Sequence, residues 1–369
     1  MISEPPNLHE LEVSVFGPGV GECIVAHVGD GDWIVVDSCI NRESQEPVAL
    51  EYLKSLHVDI PSRVRLVVAT HWHDDHIRGL AEVFRVAESA KFVDSAAYSL
   101  SFLARVVELG TKTAANASVT EEYSGIFEIL KGRRNKGERK EAVGPLRAVA
   151  NKRLLLLTGE DRTVRAEVTA LSPSDGTFSK AEGELKRALS IIAERKRPSL
   201  LGPNQLSVVL WLRVGSLQVM LGADLEHVAG TTEGWKAIVN SKERPEGRAG
   251  IFKVSHHGSK NADCPECWDN LLSNQPIAVV TPYSPAKLPS NTDLARLCGQ
   301  TNLLYLTSDH TRYKVPTLDR AVEKTLRESG IERRALEGKM GHVRLRADAL
   351  DPVPKTRVEL FNGAELRCA

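Results

Sequence analysis

Apolar residues enter the chain in short, strand-sized runs separated by glycine. Glu12 to Phe16, Glu22 to His27 and Trp33 to Asp37 read as strands, and Gly17, Gly19, Gly21, Gly29 and Gly31 supply the turns of an antiparallel meander. A helical pattern follows over Pro47 to Leu56. Val64 to Ala69 (VRLVVA) is then a continuous apolar run of strand length, the pattern of a strand buried on both faces. Its end delivers Thr70 and His71. A helix is predicted over Gly79 to Ser89, and another strand starts at Lys91 to Asp94.

From 96 to 150 the pattern turns helical and polar, ends in the basic run Arg133, Arg134, Lys136, Arg139 and Lys140, and shows no strong strand signal. It reads as a helical insertion within a single domain spanning 1–369, and as a surface through which a protein partner could act. Strands resume at Arg153 to Leu157 and Thr163 to Leu171, and a charged helix is expected over Ala181 to Arg197. Gln205 to Val214 and Leu217 to Leu221 form a hairpin pattern around Gly215-Ser216. Further strands are expected at Ile251 to Val254, Ile277 to Thr281 and Leu303 to Thr307. Meander and strand-helix units therefore alternate twice, which makes the chain α/β.

Composition changes this picture little. Hydrophobic residues make up 42% and charged residues 26% of the 369, as in an ordinary globular protein. Lys+Arg and Asp+Glu both number 48, so any attraction to a polyanion has to come from local patches such as the basic run. The opening MISEPPNLHE lacks the basic start and apolar run of a secretory signal, and no stretch approaches the roughly 20 apolar residues of a membrane helix. A cytoplasmic protein without membrane association is the expectation. Cys23, Cys39, Cys264, Cys267, Cys298 and Cys368 are scattered, so reduced thiols are expected, with Cys264-Pro265-Glu266-Cys267 an incidental CxxC.

The chemistry concentrates in His71-Trp72-His73-Asp74-Asp75-His76, which packs three of the 11 histidines and a spaced acid into six residues directly after a buried strand. In an extended loop His71 and His73 can face one divalent ion, while Asp75 and His76 lie one turn further on for a second. Imidazole and carboxylate are ligands of hydrolytic zinc or manganese. His9, His27, His57, His227 and His342 have no ligand spacing and read as surface or satisfied core residues.

HxHxDH at the end of a strand resembles the signature of the metallo-β-lactamase superfamily, standing here as HWHDDH. The resemblance implies an αββα sandwich and two divalent ions, zinc first and manganese as the alternative. It also implies a structural Asp at Asp37, where the Gly usual two positions on is Cys39, and a metal-bridging Asp at Asp224 within Leu221-Gly222-Ala223-Asp224. Lys253-Val254-Ser255-His256-His257-Gly258-Ser259 is similar to the KVxHHGS element of the branch holding the soluble domain of the ComEC DNA-uptake proteins and the phosphorylcholine esterases. Thr307-Ser308-Asp309-His310 resembles that branch's closing element. The third histidine many members place on the first metal has no counterpart between His76 and Asp224, leaving that site poorer in protein ligands; His310 is a candidate substitute or substrate contact.

These residues imply His71 and His73 on one metal, Asp75, His76 and His257 on the other, and Asp224 between. Neighbouring side chains on a strand point to opposite sides, so His256 is expected to face substrate as a general acid, with Asp75 the other catalytic candidate. Ser259 and Lys260, with Asn261, are candidates for gripping phosphate oxygens. Two metals about 3.5–4 Å apart can hold a bridging hydroxide and brace an in-line displacement, which suits a phosphodiesterase or nuclease. A processive nuclease needs a long basic groove, which the balanced charge does not favour. Carboxylic, thioester or amide hydrolysis, and a partner-gated regulatory role, are the alternatives.

Overall fold

The computed structural model describes residues 4–17, 21–96, 117–135, 144–181, 183, 202–228, 230, 232–308, 318–329 and 340–368. One sheet runs in the order β15 (Arg357–Phe361), β14 (His342–Asp348), β1 (Glu10–Phe16), β2 (Cys23–Val28), β3 (Trp33–Val36), β4 (Val64–Val68), β5 (Lys91–Ser95), β6 (Leu146–Ala148). The other runs β16 (Glu365–Leu366), β13 (Leu304–Leu306), β12 (Leu272–Val280), β11 (Ala249–Lys253), β10 (Leu217–Leu221), β9 (Leu210–Val214), β8 (Ala166–Ala170), β7 (Lys152–Leu157). Each begins antiparallel in its early strands and turns parallel where helices cross over: β3, β4, β5 and β6 pair parallel, as do β10, β11, β12 and β13.

Alternation explains the layers. Leu66 and Val68 of β4 join Ile24, Ile34, Leu212 and Val219 in a core between the two sheets. Val67 of the same strand faces outward under α1 (Val48–Ser55) and α4 (Leu80–Val86), and so does Val64, which a register shift against β3 sets out of the alternation. The continuous apolar run is thus buried on both faces, as its sequence predicts. On the far side α6 (Gly234–Asn240), α7 (Pro265–Leu271) and α8 (Asn291–Cys298) cover Phe252, Ala278 and Val280. The result is the expected αββα sandwich, with helices on both outer faces.

Several elements differ from the sequence reading. Within 96–150, residues 97–116 and 136–143 lie outside the described residues, and α5 (Ala117–Asn135) packs Tyr123, Ile126 and Leu130 as part of the outer helical layer. The same segment supplies β6, a strand its polar composition hid. Arg133, read as part of a basic run, donates to the carbonyls of Phe84, Ala87 and Ala90 and sits 4.0 Å over the Phe84 ring, where it caps the end of α4. The strand expected from Gln205 begins only at Leu210, because Pro203–Leu206 closes a 3-10 turn. The helix expected over 181–197 lies almost wholly outside the described residues.

The cysteines also depart from expectation. Cys264 is bonded to Cys267 and Cys298 to Cys368, because one turn at the start of α7 and the approach of α8 to the C-terminal strand bring the Cα atoms to 5.3 and 5.5 Å. Cys23 and Cys39 are buried free thiols, both pushed up by burial. No helix among the described residues is long and apolar enough to cross a membrane.

His27 is a satisfied core residue. Its Nδ1 lies 2.7 Å from the Glu10 carbonyl and its Nε2 accepts the Gly31 N–H at 2.9 Å, a pairing that neutral imidazole alone makes. Burial pushes its pKa down from 6.5 to about 4. The unfolded chain therefore binds this proton first: the contribution is full above pH 6.5 and is lost as pH falls toward 4. The linkage amounts to about 3 kcal/mol. We expect His27→Gln to flatten the dependence of unfolding free energy on pH across that window in urea titrations. An unchanged slope would contradict the assignment.

Candidate metal centre

β4 ends at Val68, and the chain runs extended through His73 into the single turn of α3 (Asp74–Ile77). Asp37, just past β3 with φ +58°, reaches across to this loop. Its Oδ1 accepts the Thr70 N–H at 2.8 Å, and its Oδ2 accepts the Thr70 hydroxyl at 2.7 Å and pairs with His76 Nδ1 at 2.8 Å. Cys39 takes the place of the usual glycine and packs its Cβ against Gly21, where an added Cβ would approach to 2.8 Å. The departure is accommodated by a glycine elsewhere. Gly79, at φ +81° and wedged against Ile40 and Pro47, turns the loop into α4.

These bonds assign the tautomers. The Thr70 proton goes to Asp37, so Thr70 Oγ1 is left to accept from His71 Nδ1 at 3.0 Å. His76 Nδ1 donates to Asp37, and His257 Nδ1 donates to the Thr281 carbonyl at 2.8 Å. Each ring is thereby left with its Nε2 lone pair facing inward. All three converge on Asp224 Oδ2, at 3.9 Å for His71, 3.4 Å for His76 and 3.5 Å for His257. Asp75 Oδ2 completes the group, 3.3 Å from His257 Nε2 and 3.7 Å from His76 Nε2. His71 Nε2 lies 3.1 Å from His73 Nδ1.

Donors bound tetrahedrally at 2.0–2.2 Å from one ion stand about 3.3–3.6 Å apart, so Asp75, His76, His257 and Asp224 are spaced for one divalent cation. His71 Nε2, 3.9 Å from Asp224 Oδ2 and 3.1 Å from His73 Nδ1, borders this group on the other side. Among the described residues the buried His76 Nε2 and Asp224 Oδ1 have no hydrogen-bond partner, as donors awaiting a cation would. These residues fit the metals.

Electrostatics agree. Burial pushes His71 and His73 down, toward the neutral form that binds metal. Burial opposes charge on His76 and His257 as well, but Asp224, Glu22 and Asp75 outweigh it and hold both imidazoles up. Burial likewise opposes charge on Asp224, yet His257 and His76 keep it ionised well below the usual carboxylate range. A pocket that attracts protons this strongly attracts divalent ions for the same reason.

The sequence reading named the donor residues and Asp37, but missed the other polar neighbours. Glu22 lies within reach of His76, Asp224 and His257, yet it faces the Nδ1 side of His76 at 3.7 Å, where the proton sits. It is a counter-charge and not a ligand. Its Oε2 takes the Thr281 hydroxyl at 2.6 Å and the Lys253 ammonium at 2.5 Å. Tyr283 stacks on His257 with ring centroids 4.9 Å apart. Asn204 and Glu226 flank His256. Little in the sequence marks these residues, since each is a single polar position distant from the motifs.

The basis for separating His256 from His257 requires correction. The pair does not sit on a strand: it forms a tight turn after β11 with φ +46° and +54°. His257 turns inward, while His256 packs toward Asn204 and Glu226, with ring centroids 6.0 Å apart. Ser259 lines a small cavity below α7 beside Trp268 and Arg296, and the Lys260 side chain is exposed. His310 lies outside the described residues.

Residues 16–106, which include Asp37 and the whole His71–His76 loop, match the profile of the Metallo-beta-lactamase superfamily. No curated protein matches the chain. Similar solved structures include MEM-A1, a subclass B3 metallo-beta-lactamase from a soil metagenome library, at 14% identity over 70% of this chain and 81% of that one, TM-score 0.35. A Cronobacter sakazakii metallo-beta-lactamase with an HARLDQ motif is similar at 11% identity over 67% and 77%, TM-score 0.34. An archaeal superfamily protein from Sulfolobus tokodaii is similar at 14% over 59% and 66%, TM-score 0.28.

Proposed function

We propose that the chain is a phosphodiesterase of the ComEC-like branch with a dinuclear centre. The observation that carries the metal reading is the convergence of three buried Nε2 lone pairs on one carboxylate oxygen, at 3.4, 3.5 and 3.9 Å. In neutral rings those lone pairs would repel the anion, so the arrangement calls for cations between them: protons on His76 and His257 in the metal-free protein, metal ions when it is loaded. His71 and His73 hold the first ion, Asp75, His76 and His257 the second, and Asp224 lies between. The imidazole-rich set favours zinc, with manganese the alternative. When bound, the ions lower the pKa of water toward neutrality and balance charge on the phosphoryl oxygens.

The chain's own residues do the rest. Asp37, Thr70 and Thr281 keep protons on the outer ring nitrogens, so the donors stay aimed inward. Asp75 keeps its carboxylate charged beside His257 and His76. His256, at the edge of the cluster and partly exposed, supplies a proton to the leaving oxygen, and Lys260 reaches a phosphate oxygen from the adjoining turn. The KVSHHGS element supports the branch, and the balanced charge favours a small or short phosphodiester over a long polymer.

The test is a panel of bis-p-nitrophenyl phosphate, cyclic nucleotides, single-stranded DNA and RNA, with nitrocefin and an acyl thioester alongside, using zinc- or manganese-loaded protein. Metal-dependent cleavage of a phosphodiester, lost in His73→Ala, is expected. Faster turnover of nitrocefin or the thioester than of every phosphodiester would overturn the proposal.

A further inference from the structure

The two halves of the centre are unequal. The second site has Asp75, His76, His257 and Asp224, whereas the first has His71, His73 and a shared Asp224. No histidine stands between His76 and Asp224 in the sequence to fill the gap. The structure brings a different residue to this side. Asn204 lies in the 3-10 turn Pro203–Leu206, and the next residues are tied to the metal loop by the Val208 N–H, which donates to the Thr70 carbonyl at 3.0 Å. Thr70 directly precedes His71. On its other flank Asn204 meets His256, 3.1 Å from Nε2 of that ring.

The orientation of the Asn204 amide is fixed by chemistry. One amide atom lies 3.1 Å from Glu226 Oε1 and 3.1 Å from His256 Nε2. A carboxylate only accepts hydrogen bonds, so that atom is Nδ2; the flipped amide would press two oxygens together. Oδ1 therefore points away from Glu226. It is buried, on a residue 8% exposed, and has no hydrogen-bond partner among the described residues. An amide oxygen left in this state is costly unless something accepts its lone pairs.

We propose that Asn204 Oδ1 is the third protein donor to the divalent ion held by His71 and His73. The assignment rests on the dinuclear reading above. A neutral oxygen is a weaker donor to zinc than the imidazole it replaces, which makes the first ion the more weakly held and the more readily exchanged. Glu226 and His256 then act as positioning residues, holding the amide so that its oxygen faces the ion.

Titration of the metal-free full-length chain with Co²⁺, followed by calorimetry and visible absorption, tests this without an activity assay. The wild type should bind two ions in steps of unequal affinity. Asn204→Leu should weaken the weaker step at least tenfold and change its absorption, while leaving the tighter step within twofold. Asn204→Asp combined with Glu226→Gln keeps a bond between the two side chains, now with the Gln amide as donor, and offers a charged oxygen; it should tighten the weaker step. It also serves as the decisive variant should the leucine protein not fold. Unchanged binding in these variants, with one step lost in His73→Ala, would overturn the role of Asn204. If His73→Ala and His257→Ala each leave two steps intact, the dinuclear reading itself is wrong, and the Asn204 assignment falls with it.

Discussion

Replacing Asp224 with alanine is expected to reduce phosphodiester cleavage at least about 10³-fold, roughly 4 kcal/mol of transition-state stabilisation. Among the described residues Asp224 approaches three imidazoles of the cluster: its Oδ2 is 3.9 Å from His71, 3.4 Å from His76 and 3.5 Å from His257. Its placement depends on close approach of the backbones. Gly222 lies where an added Cβ would collide with Ser255 Oγ and come to 2.9 Å from the Lys253 carbonyl, so β10 and β11 can deliver Asp224 and the His256-His257 turn side by side. Loss of the carboxylate removes the shared negative charge from a cluster of three imidazoles. Steady-state rates at saturating metal check this, and a variant within tenfold of the wild type would show that Asp224 does not bridge.

The second large effect concerns stability. Lys253→Met should destabilise the metal-free protein by about 3–5 kcal/mol, the cost of leaving a buried charge without its partner. Lys253 and Glu22 are each 1% exposed at the side chain and 2.5 Å apart. They join the end of β11 to the start of β2, so the pair clasps the two sheets directly beneath the metal centre. Lys253 also donates to the Ala223 carbonyl at 3.3 Å, beside Asp224. Adding Glu22→Gln to Lys253→Met should restore much of the loss, because the uncompensated charge is gone. Denaturant unfolding in the presence of a chelator measures both without interference from metal binding. A single variant within 1 kcal/mol of the wild type would contradict this account.

The metal cluster was legible because its donors are nearly contiguous and follow a run, VRLVV, that only a doubly buried strand explains. Asp224 and the His256-His257 pair were legible by resemblance. The physical reason given for dividing that pair was mistaken: strand alternation does not apply where both residues adopt left-handed turn geometry. His256 was expected to face substrate; the structure shows its contacts to Asn204 and Glu226, which the sequence did not indicate. Asp37, 33 residues before Thr70, was named by resemblance alone, and the partners of His257 could not be read, because Glu22 is 259 residues from Thr281. Such pairs exist only once the sheets close. The strands of 342–366 went unread; Arg344 and Arg346, charged residues on β14, are each paired with a glutamate, Glu359 and Glu12, at 2.9 and 2.7 Å. Asn204 gave one faint signal, a polar residue after Pro203 at the edge of an apolar run.

The measurement that tests the central claim most directly is the metal content of the intact chain after loading with zinc and removal of free ion. The account predicts two zinc ions per chain in the wild type, and the loss of at least one when His76 or His257 is replaced by alanine. A folded wild-type chain that retains no zinc would contradict it.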